Sequence, residues 1–112
     1  MADMPEILVV GSFVKDLIVS TARFPEAGET VLGFDFQTAS GGKGANQAIQ
    51  AARLGAHVTM VGKVGDDIYG RELIASCTEN GIDCSHVMVD EKAPSSIGNV
   101  QLQMSQDGRS QN

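Results

Sequence analysis

The chain has 112 residues, and its eight Lys and Arg against fourteen Asp and Glu give a formal net charge of −6. Nucleic-acid-binding proteins usually present a basic face to the phosphates, so this acidic balance argues against a nucleic-acid partner. The N-terminal segment has no basic region, and its apolar run at residues 7–10 is too short for a signal peptide or a membrane span. We therefore expect a cytoplasmic protein that does not contact membranes.

The first part of the chain carries strand patterns of two kinds. Residues 6–12, EILVVGS, form a continuous apolar run that ends in Gly and Ser, which is typical of a strand buried on both faces of a parallel sheet. Residues 15–24 and 29–39 instead carry β-branched and aromatic side chains at nearly alternating positions, with Pro25 and Gly28 in the turn between them. These two segments are predicted to form an antiparallel pair with one face exposed to solvent.

Two helices and a second buried strand are predicted next. A helix is expected over residues 43–54, followed by Gly55 in the left-handed conformation that often ends a helix. Its apolar residues recur at i, i+3, i+4 and i+7, namely Ala45, Ala48, Ile49 and Ala52. Residues 57–65, HVTMVGKVG, are predicted to be a buried strand. Residues 66–81 are predicted to be a helix that stops at a glycine. Its apolar face consists of Tyr69, Leu73 and Cys77.

The C-terminal segment resembles a half-exposed strand. Apolar residues alternate with polar ones, at Ile97, Val100, Leu102 and Met104. The dipeptide Asp107-Gly108 that follows favours a tight hairpin turn.

Several polar residues that could suggest chemistry are predicted to be structural. Asp66 and Asp67 stand at the start of the second helix, where carboxylates cap free N–H groups and suit the helix dipole. The remaining candidates have no metal-ligand spacing, and we interpret them as structural or exposed histidines and as reduced thiols. They are His57, His86, Cys77 and Cys84.

The segment SGGKGANQA, residues 40–48, is the strongest candidate for a ligand-binding loop. It is not a P-loop, because Gly44 follows Gly42-Lys43 where that motif needs Ser or Thr. A dinucleotide fingerprint is absent as well, because only Gly11 follows the first strand. Glycines at a helix start allow close approach to backbone N–H groups that attract oxygen-rich ligands, and Asn46 can donate and accept hydrogen bonds. A tight strand-to-helix turn explains the glycines equally well.

Four motifs give the chain a family resemblance. SGGKGANQAIQAARLGA, together with VGSFVKDLI, FPEAGETV and VGKVGDDIYG, is similar to the N-terminal third of ribokinase and its relatives in the PfkB sugar-kinase family. The resemblance implies an α/β protein with a three-layer α/β/α ribokinase-like fold, of which residues 1–112 are the incomplete N-terminal part. It also implies a small antiparallel β-sheet lid, formed by residues 15–39 and 96–112.

The resemblance also implies which residues contact the sugar. By their places in the motifs, Gly42 would contribute its backbone, Asn46 would bind ring hydroxyls, and Asp16 would accept from two adjacent hydroxyls. The full set of substrate-binding positions is Val14, Asp16, Gly42, Lys43, Gly44 and Asn46. For Lys43 the alternative is stronger, because a lysine in such a loop is often a solvated side chain of which only the backbone matters. Val14 departs from the family pattern, which has an asparagine there, so the preference for ribose is open.

The activity implied is that of a sugar kinase that uses ATP, Mg²⁺ and a monovalent cation such as K⁺, at sites outside this chain. Its partners would be ribose or deoxyribose and a second copy, bound through the lid. A non-catalytic sugar-binding or dimerisation module and a nucleoside kinase of the same fold are the alternatives. The residues expected for catalysis, in a late Gly-Ala-Gly-Asp motif, are absent from the 112 residues.

Overall fold

The computed structural model describes residues 4–105, so the predicted turn at Asp107-Gly108 lies outside the described part. The elements in chain order are β1 (Glu6–Val10), β2 (Val14–Thr21), β3 (Asp35–Gly41), α1 (Lys43–Arg53), β4 (His57–Gly65), α2 (Ile68–Glu79), β5 (Asp83–Asp90) and β6 (Ile97–Gln103). They divide into two compact units. The first unit comprises residues 4–15 with Ser40–Ser96, and the second comprises Asp16–Ala39 with residues 97–105.

A three-stranded parallel sheet forms the centre of the first unit, in the order β1-β4-β5. Glu6 of β1 lies opposite His57 of β4, and the pairing continues to Val10 opposite Val61. Parallel strands need long crossover connections, which helices usually supply. Here α1 precedes β4 in the chain, and α2 connects β4 to β5.

The core of the first unit lies between this sheet and both helices. Most of its buried side chains come from β4, α1 and α2, and Phe13 and Ile82 join them from connecting segments. They include Val58, Met60, Ala45, Ala48, Leu73 and Cys77. Because residues of α1 and α2 share this one cluster with β4, both helices pack against the same face of the sheet.

The other face of β1 is open, which corrects one expectation from the sequence. The apolar run at residues 6–12 was predicted to be buried on both faces, but Leu8 is 64% exposed and Val10 is 73% exposed. Val9, which points the other way, packs against the core cluster. The strand β1 therefore has the apolar composition of a fully buried strand. Within residues 4–105, however, helices cover only one of its two faces.

Both predicted helices form, with small differences at their ends. α1 spans Lys43–Arg53, and Gly55 adopts a φ of 100°, as the left-handed position after the helix requires. α2 begins at Ile68, two residues later than predicted, because Asp67 is the residue that caps it. Neither described helix has the combination of length and apolar character that a membrane crossing requires.

The strand β5 was not predicted from the sequence. Its segment, DCSHVMVD, places polar residues on both sides of a short apolar run, so neither alternation nor a continuous apolar stretch marks it. Cys84 and Val87 nevertheless pack against the core cluster, whereas Met88 is 64% exposed. This strand pairs in parallel with β4 along one side, from Thr59 opposite Asp83 to Gly65 opposite Asp90.

The second sheet has the order β3-β2-β6. Phe34 donates its backbone N–H to Ser20 across a turn, and β2 and β3 run antiparallel, as expected. Met104 donates to Thr21 at the end of β6, while Lys15 at the start of β2 donates to the residue before β6. The start of β2 is thus bonded to the start of β6 and the end of β2 to the end of β6, so the two strands run parallel.

An ion pair closes the turn between β2 and β3. Arg23 donates from both terminal nitrogens to the carboxylate of Glu29, at 2.6 and 2.7 Å, and the backbone N–H of Glu26 donates to the same carboxylate. The Arg23 hydrogen bond, with that of Glu26, lowers the pKa of Glu29 to about 2. Gly28 supplies the positive φ of 76° that the turn requires. The FPEAGE motif is therefore explained by turn geometry.

Candidate functional site

The glycine loop connects the end of β3 to the start of α1. Gly42 is the residue that precedes the helix, with φ 101° and ψ 142°, a conformation that side-chain-bearing residues rarely adopt. No side chain caps this helix start. Backbone contacts, not a capping side chain, therefore hold the loop in this conformation.

Glycines allow the start of α1 to touch the backbone between β1 and β2. A Cβ atom on Gly42 would lie 2.5 Å from the carbonyl oxygen of Ser12, and one on Gly44 would lie 2.8 Å from the Cα of Gly11. Real Cβ atoms do not approach other atoms so closely. The backbone N–H of Ala45 donates to the same Ser12 oxygen at 3.2 Å. Packing alone therefore requires glycine at positions 42 and 44.

The polar groups around this loop remain available to a ligand. Asn46 donates its backbone N–H to Gly42 at 2.8 Å, which closes the first helical turn. Within residues 4–105, the N–H groups of Lys43 and Gly44 and the side-chain amide of Asn46 have no hydrogen-bond partner. The side chains of Lys43 and Asn46 are exposed. Unpaired donors at a helix start form a site for oxygen-rich or anionic ligands.

Val14 lies beside the loop, and Asp16 belongs to the other unit. A Cβ atom on Gly41 would meet the carbonyl oxygen of Val14 at 3.8 Å and the side-chain oxygen of Asn46 at 3.7 Å. Of the six positions predicted from the sequence, five are thus gathered at or beside the loop in the first unit. Asp16 is half-buried on β2 in the second unit.

The VGDDIYG motif contains the residue that caps α2. The side chain of Asp67 accepts from Gly70 N–H at 2.7 Å, which caps α2 as predicted, and it also accepts from the backbone N–H and the hydroxyl of Ser95. The Ser95 oxygen in turn accepts from Gly65 N–H at 2.9 Å. Asp66 is exposed and lies 3.4 Å from Arg71. Ser95 was not singled out from the sequence, because it lies 28 residues from its carboxylate partner.

This network predicts a measurable loss of stability in acid. Hydrogen bonds from Ser95 and Gly70 lower the pKa of Asp67 below its ordinary value of 3.8. A lowered folded-state pKa stabilises the fold at pH values above the unfolded-state pKa, and this contribution is lost as the pH falls through the folded-state pKa. Asp67→Asn should therefore lower the melting temperature at pH 7 and should lose less on acidification to pH 3 than the wild type does. Asp66→Asn is the matched control, and equal behaviour of both variants in thermal melts would contradict the assignment.

The cysteines and histidines do not form a reactive or metal-binding group. Burial raises the pKa of the Cys77 thiol to about 11, and Cys84 beside it adds to the shift, so the Cys77 thiol is protonated and unreactive near neutral pH. His57 is exposed, 3.9 Å from Glu6, and His86 is exposed on β5. In the described part of the chain, no three His, Cys, Asp or Glu residues are grouped so that they could hold a metal ion.

Comparison with known proteins shows which family this chain resembles. The family model described as pfkB family carbohydrate kinase matches residues 4–107. The ribokinase of Bacillus subtilis (strain 168) is 58% identical over 79 residues, which cover 70% of this chain and 27% of that protein. The deoxyribokinase of Salmonella typhi is 42% identical over 95 residues, which cover 85% of this chain and 30% of that protein.

A solved structure agrees with these sequence matches. The ribokinase of Arabidopsis thaliana, determined with ribose and ATP, superimposes with a TM-score of 0.83 at 34% identity, covering 96% of this chain and 34% of that one. The chain thus spans about a third or less of the length of these relatives. Since the family model extends over nearly all of its residues, the chain belongs to the pfkB family of carbohydrate kinases.

Proposed function

We propose that this chain is the sugar-binding and lid portion of a ribokinase-type kinase, which transfers the γ-phosphoryl group of ATP to a pentose hydroxyl. The observation that carries the proposal is the loop at residues 40–46. Its exposed Asn46 amide and unpaired N–H groups at the start of α1 are suited to sugar hydroxyls. The loop also lies in a chain that is 58% identical, over 79 residues, to a ribokinase.

Each predicted residue has a specific role in this proposal. Asn46 donates to one hydroxyl and accepts from another, and the backbone of Gly42 and Gly44 allows the sugar to approach the helix start. Asp16 is proposed to accept from two adjacent hydroxyls of the same sugar. The exposed side chain of Lys43 has no ion-pair partner in residues 4–105, and its backbone N–H is the group proposed to bind.

The nucleotide and ion sites are not assigned to this chain. In residues 4–105 no three His, Cys, Asp or Glu residues are grouped as a metal site, and the sequence has no P-loop pattern. Phosphoryl transfer needs a nucleotide cradle, a metal ion and a group that orients the attacking hydroxyl. We therefore expect a protein that continues this chain to its relatives' full length to supply all three.

A coupled assay of that full-length protein tests the proposal. With ATP, Mg²⁺ and K⁺ present, we expect ADP formation that depends on ribose or 2-deoxyribose, while purified residues 1–112 should form none above background. ADP formation with adenosine and with neither sugar would favour the nucleoside kinase. Sugar binding by calorimetry without any ADP formation would favour the non-catalytic module.

Val14 leads to a prediction about sugar choice. Its apolar side chain cannot hydrogen-bond a hydroxyl, and a polar group buried without a partner costs about 1 to 3 kcal/mol. We therefore expect the full-length protein to accept 2-deoxyribose better than ribokinases do, and a deoxyribokinase is among the relatives. Val14→Asn should shift the ratio of kcat/KM values towards ribose. A strong preference for ribose that Val14→Asn leaves unchanged would contradict this assignment.

The second unit is proposed to form a homodimer contact. Its strands β3 and β6 are sheet edges, and its own residues include Leu32, 89% exposed, and Phe36, 61% exposed. Exposed apolar edges favour pairing with another chain. We expect a dimer by light scattering for the full-length protein and a monomer for Phe36→Glu. The control Leu54→Glu, at an exposed apolar residue of the first unit, should remain dimeric. A wild-type monomer would refute the proposal.

A further inference from the structure

Lys15 is the one buried cation among the ion pairs of residues 4–105. Its side chain is 5% exposed, whereas the paired side chains of Arg23, Lys63 and Arg71 are more than half exposed. Removing an ammonium group from water costs free energy, and its partner Glu72 is 43% exposed, so solvent weakens the attraction that would offset this cost. Stability alone is therefore a poor explanation for a lysine at this position.

The contacts of Lys15 connect it to the glycine loop. Its ammonium group donates to the Ser40 hydroxyl at 3.2 Å and to the carboxylate of Glu72 on α2. Its backbone N–H donates to the carbonyl oxygen of Ser96 at 2.9 Å. Ser40 begins the segment that carries Gly42 and Asn46. One side chain thus joins the start of β2, the end of β3 and the second helix.

These contacts lie where the chain passes between its two units. Lys15, Ser40 and Ser96 all belong to the first unit, and each is the residue at which the chain leaves or returns to it. Lys15 also stands between Val14 and Asp16, two of the predicted sugar positions. A shift of Lys15 would therefore be transmitted along the backbone to both neighbours and, through Ser40, to the loop.

We propose that Lys15 is a positioning residue for the sugar site. Lys15 holds the glycine loop in place by its hydrogen bond to Ser40, and Glu72 fixes the position of the ammonium group. The proposal rests on the sugar kinase function proposed above. Lys15 does not contact the sugar in this proposal. Its loss should weaken sugar binding in the ground state and the transition state alike, so it should raise the sugar KM and leave kcat nearly unchanged.

Lys15→Met is the central variant, because it keeps the length of the side chain and removes the charge. In the full-length protein we expect a sugar KM about tenfold higher, the size expected for a lost charged hydrogen bond. We expect the melting temperature, kcat and the KM for ATP to stay near wild-type values. The control Lys63→Met, which removes an exposed lysine paired with Asp90, should leave the sugar KM unchanged.

The partner Ser40 gives a second test. Ser40→Ala should raise the sugar KM in the same direction, and the double variant should be no worse than Lys15→Met, because both changes break one contact. A lower melting temperature with an unchanged sugar KM in Lys15→Met would overturn the proposal and mark the ion pair as purely structural.

Hydrogen exchange separates this proposal from the kinase function. The N–H groups of Ala45 and Asn46 are hydrogen-bonded to Ser12 and Gly42, so their exchange reports on the order of the loop. They should exchange faster in Lys15→Met than in wild type and in Lys63→Met. If the wild type phosphorylates no sugar, the kinase function fails, and this exchange still decides whether Lys15 holds the loop. Equal exchange in all three proteins would overturn the positioning role.

Discussion

Gly42→Ala is expected to lower the free energy of unfolding by roughly 2 to 5 kcal/mol, because it adds a steric clash to a strained backbone conformation. The added Cβ atom would lie 2.5 Å from the Ser12 carbonyl oxygen and 3.0 Å from the Cα of Phe13, at a φ of 101°. Both neighbours are backbone atoms, which cannot rotate away as a side chain would. The start of α1 would have to shift, and sugar binding should be lost with it.

Gly55→Ala is the matched control. Gly55 has a φ of 100°, almost the same value, but a Cβ atom there would have nothing within 4 Å. Gly55→Ala should lower the free energy of unfolding only by the strain of a left-handed backbone at an alanine, about 1 to 2 kcal/mol. Gly44→Ala measures the steric clash alone, since Gly44 has no positive φ and its added Cβ atom would clash with Gly11. Urea unfolding of the three variants measures the difference, and equal losses for Gly42→Ala and Gly55→Ala would contradict the packing described here.

Asn46→Ala is expected to lower the kcat/KM for the sugar by about 10- to 100-fold, as the loss of hydrogen bonds to hydroxyls predicts. Folding should be unaffected, because the Asn46 side chain is exposed and no hydrogen bond of its amide is found in residues 4–105. Asp16→Ala should lower the kcat/KM for the sugar by at least as much, since hydrogen bonds to a carboxylate are stronger than those to a neutral amide. The KM for ATP should stay within about twofold of wild type, because neither residue is proposed to bind the nucleotide.

Gln47→Ala is the control for Asn46→Ala. Gln47 is the next residue along α1, is exposed, and has no proposed role. Steady-state kinetics with each substrate varied in turn, together with thermal melts, separates the outcomes. A fall in melting temperature that matches the fall in activity would identify Asn46 and Asp16 as structural residues and remove them from the sugar site.

Local patterns explain which elements could be predicted from the sequence. The period of alanines in α1 and the glycine at position 55 define that helix without reference to the rest of the chain. Asp67 was predicted to cap α2 because a cap depends on residues only three positions away. The strand β5 was not predicted, because its polar residues break the apolar pattern that marks a strand. Its place in the sheet depends on pairing with β4, which the local sequence does not show.

Long-range contacts explain what the sequence could not indicate. The burial of β1 depends on what covers each face, and a continuous apolar run does not report that. The glycines of the loop were recognised as a group, but the reason for Gly42 and Gly44 is the backbone of residues 11–13, far away in the chain. Lys15 reaches partners 25 and 57 residues away, so no local pattern marks it as part of the site.

The central claim is that the loop at residues 40–46 binds the sugar, and a crystal structure of the full-length protein with a bound pentose tests it most directly. The account predicts sugar hydroxyls within about 3 Å of the Asn46 amide and the Asp16 carboxylate, with the ring against the backbone of Gly42. A pentose bound elsewhere, with Asn46 and the N–H groups at the start of α1 facing only water, would contradict it.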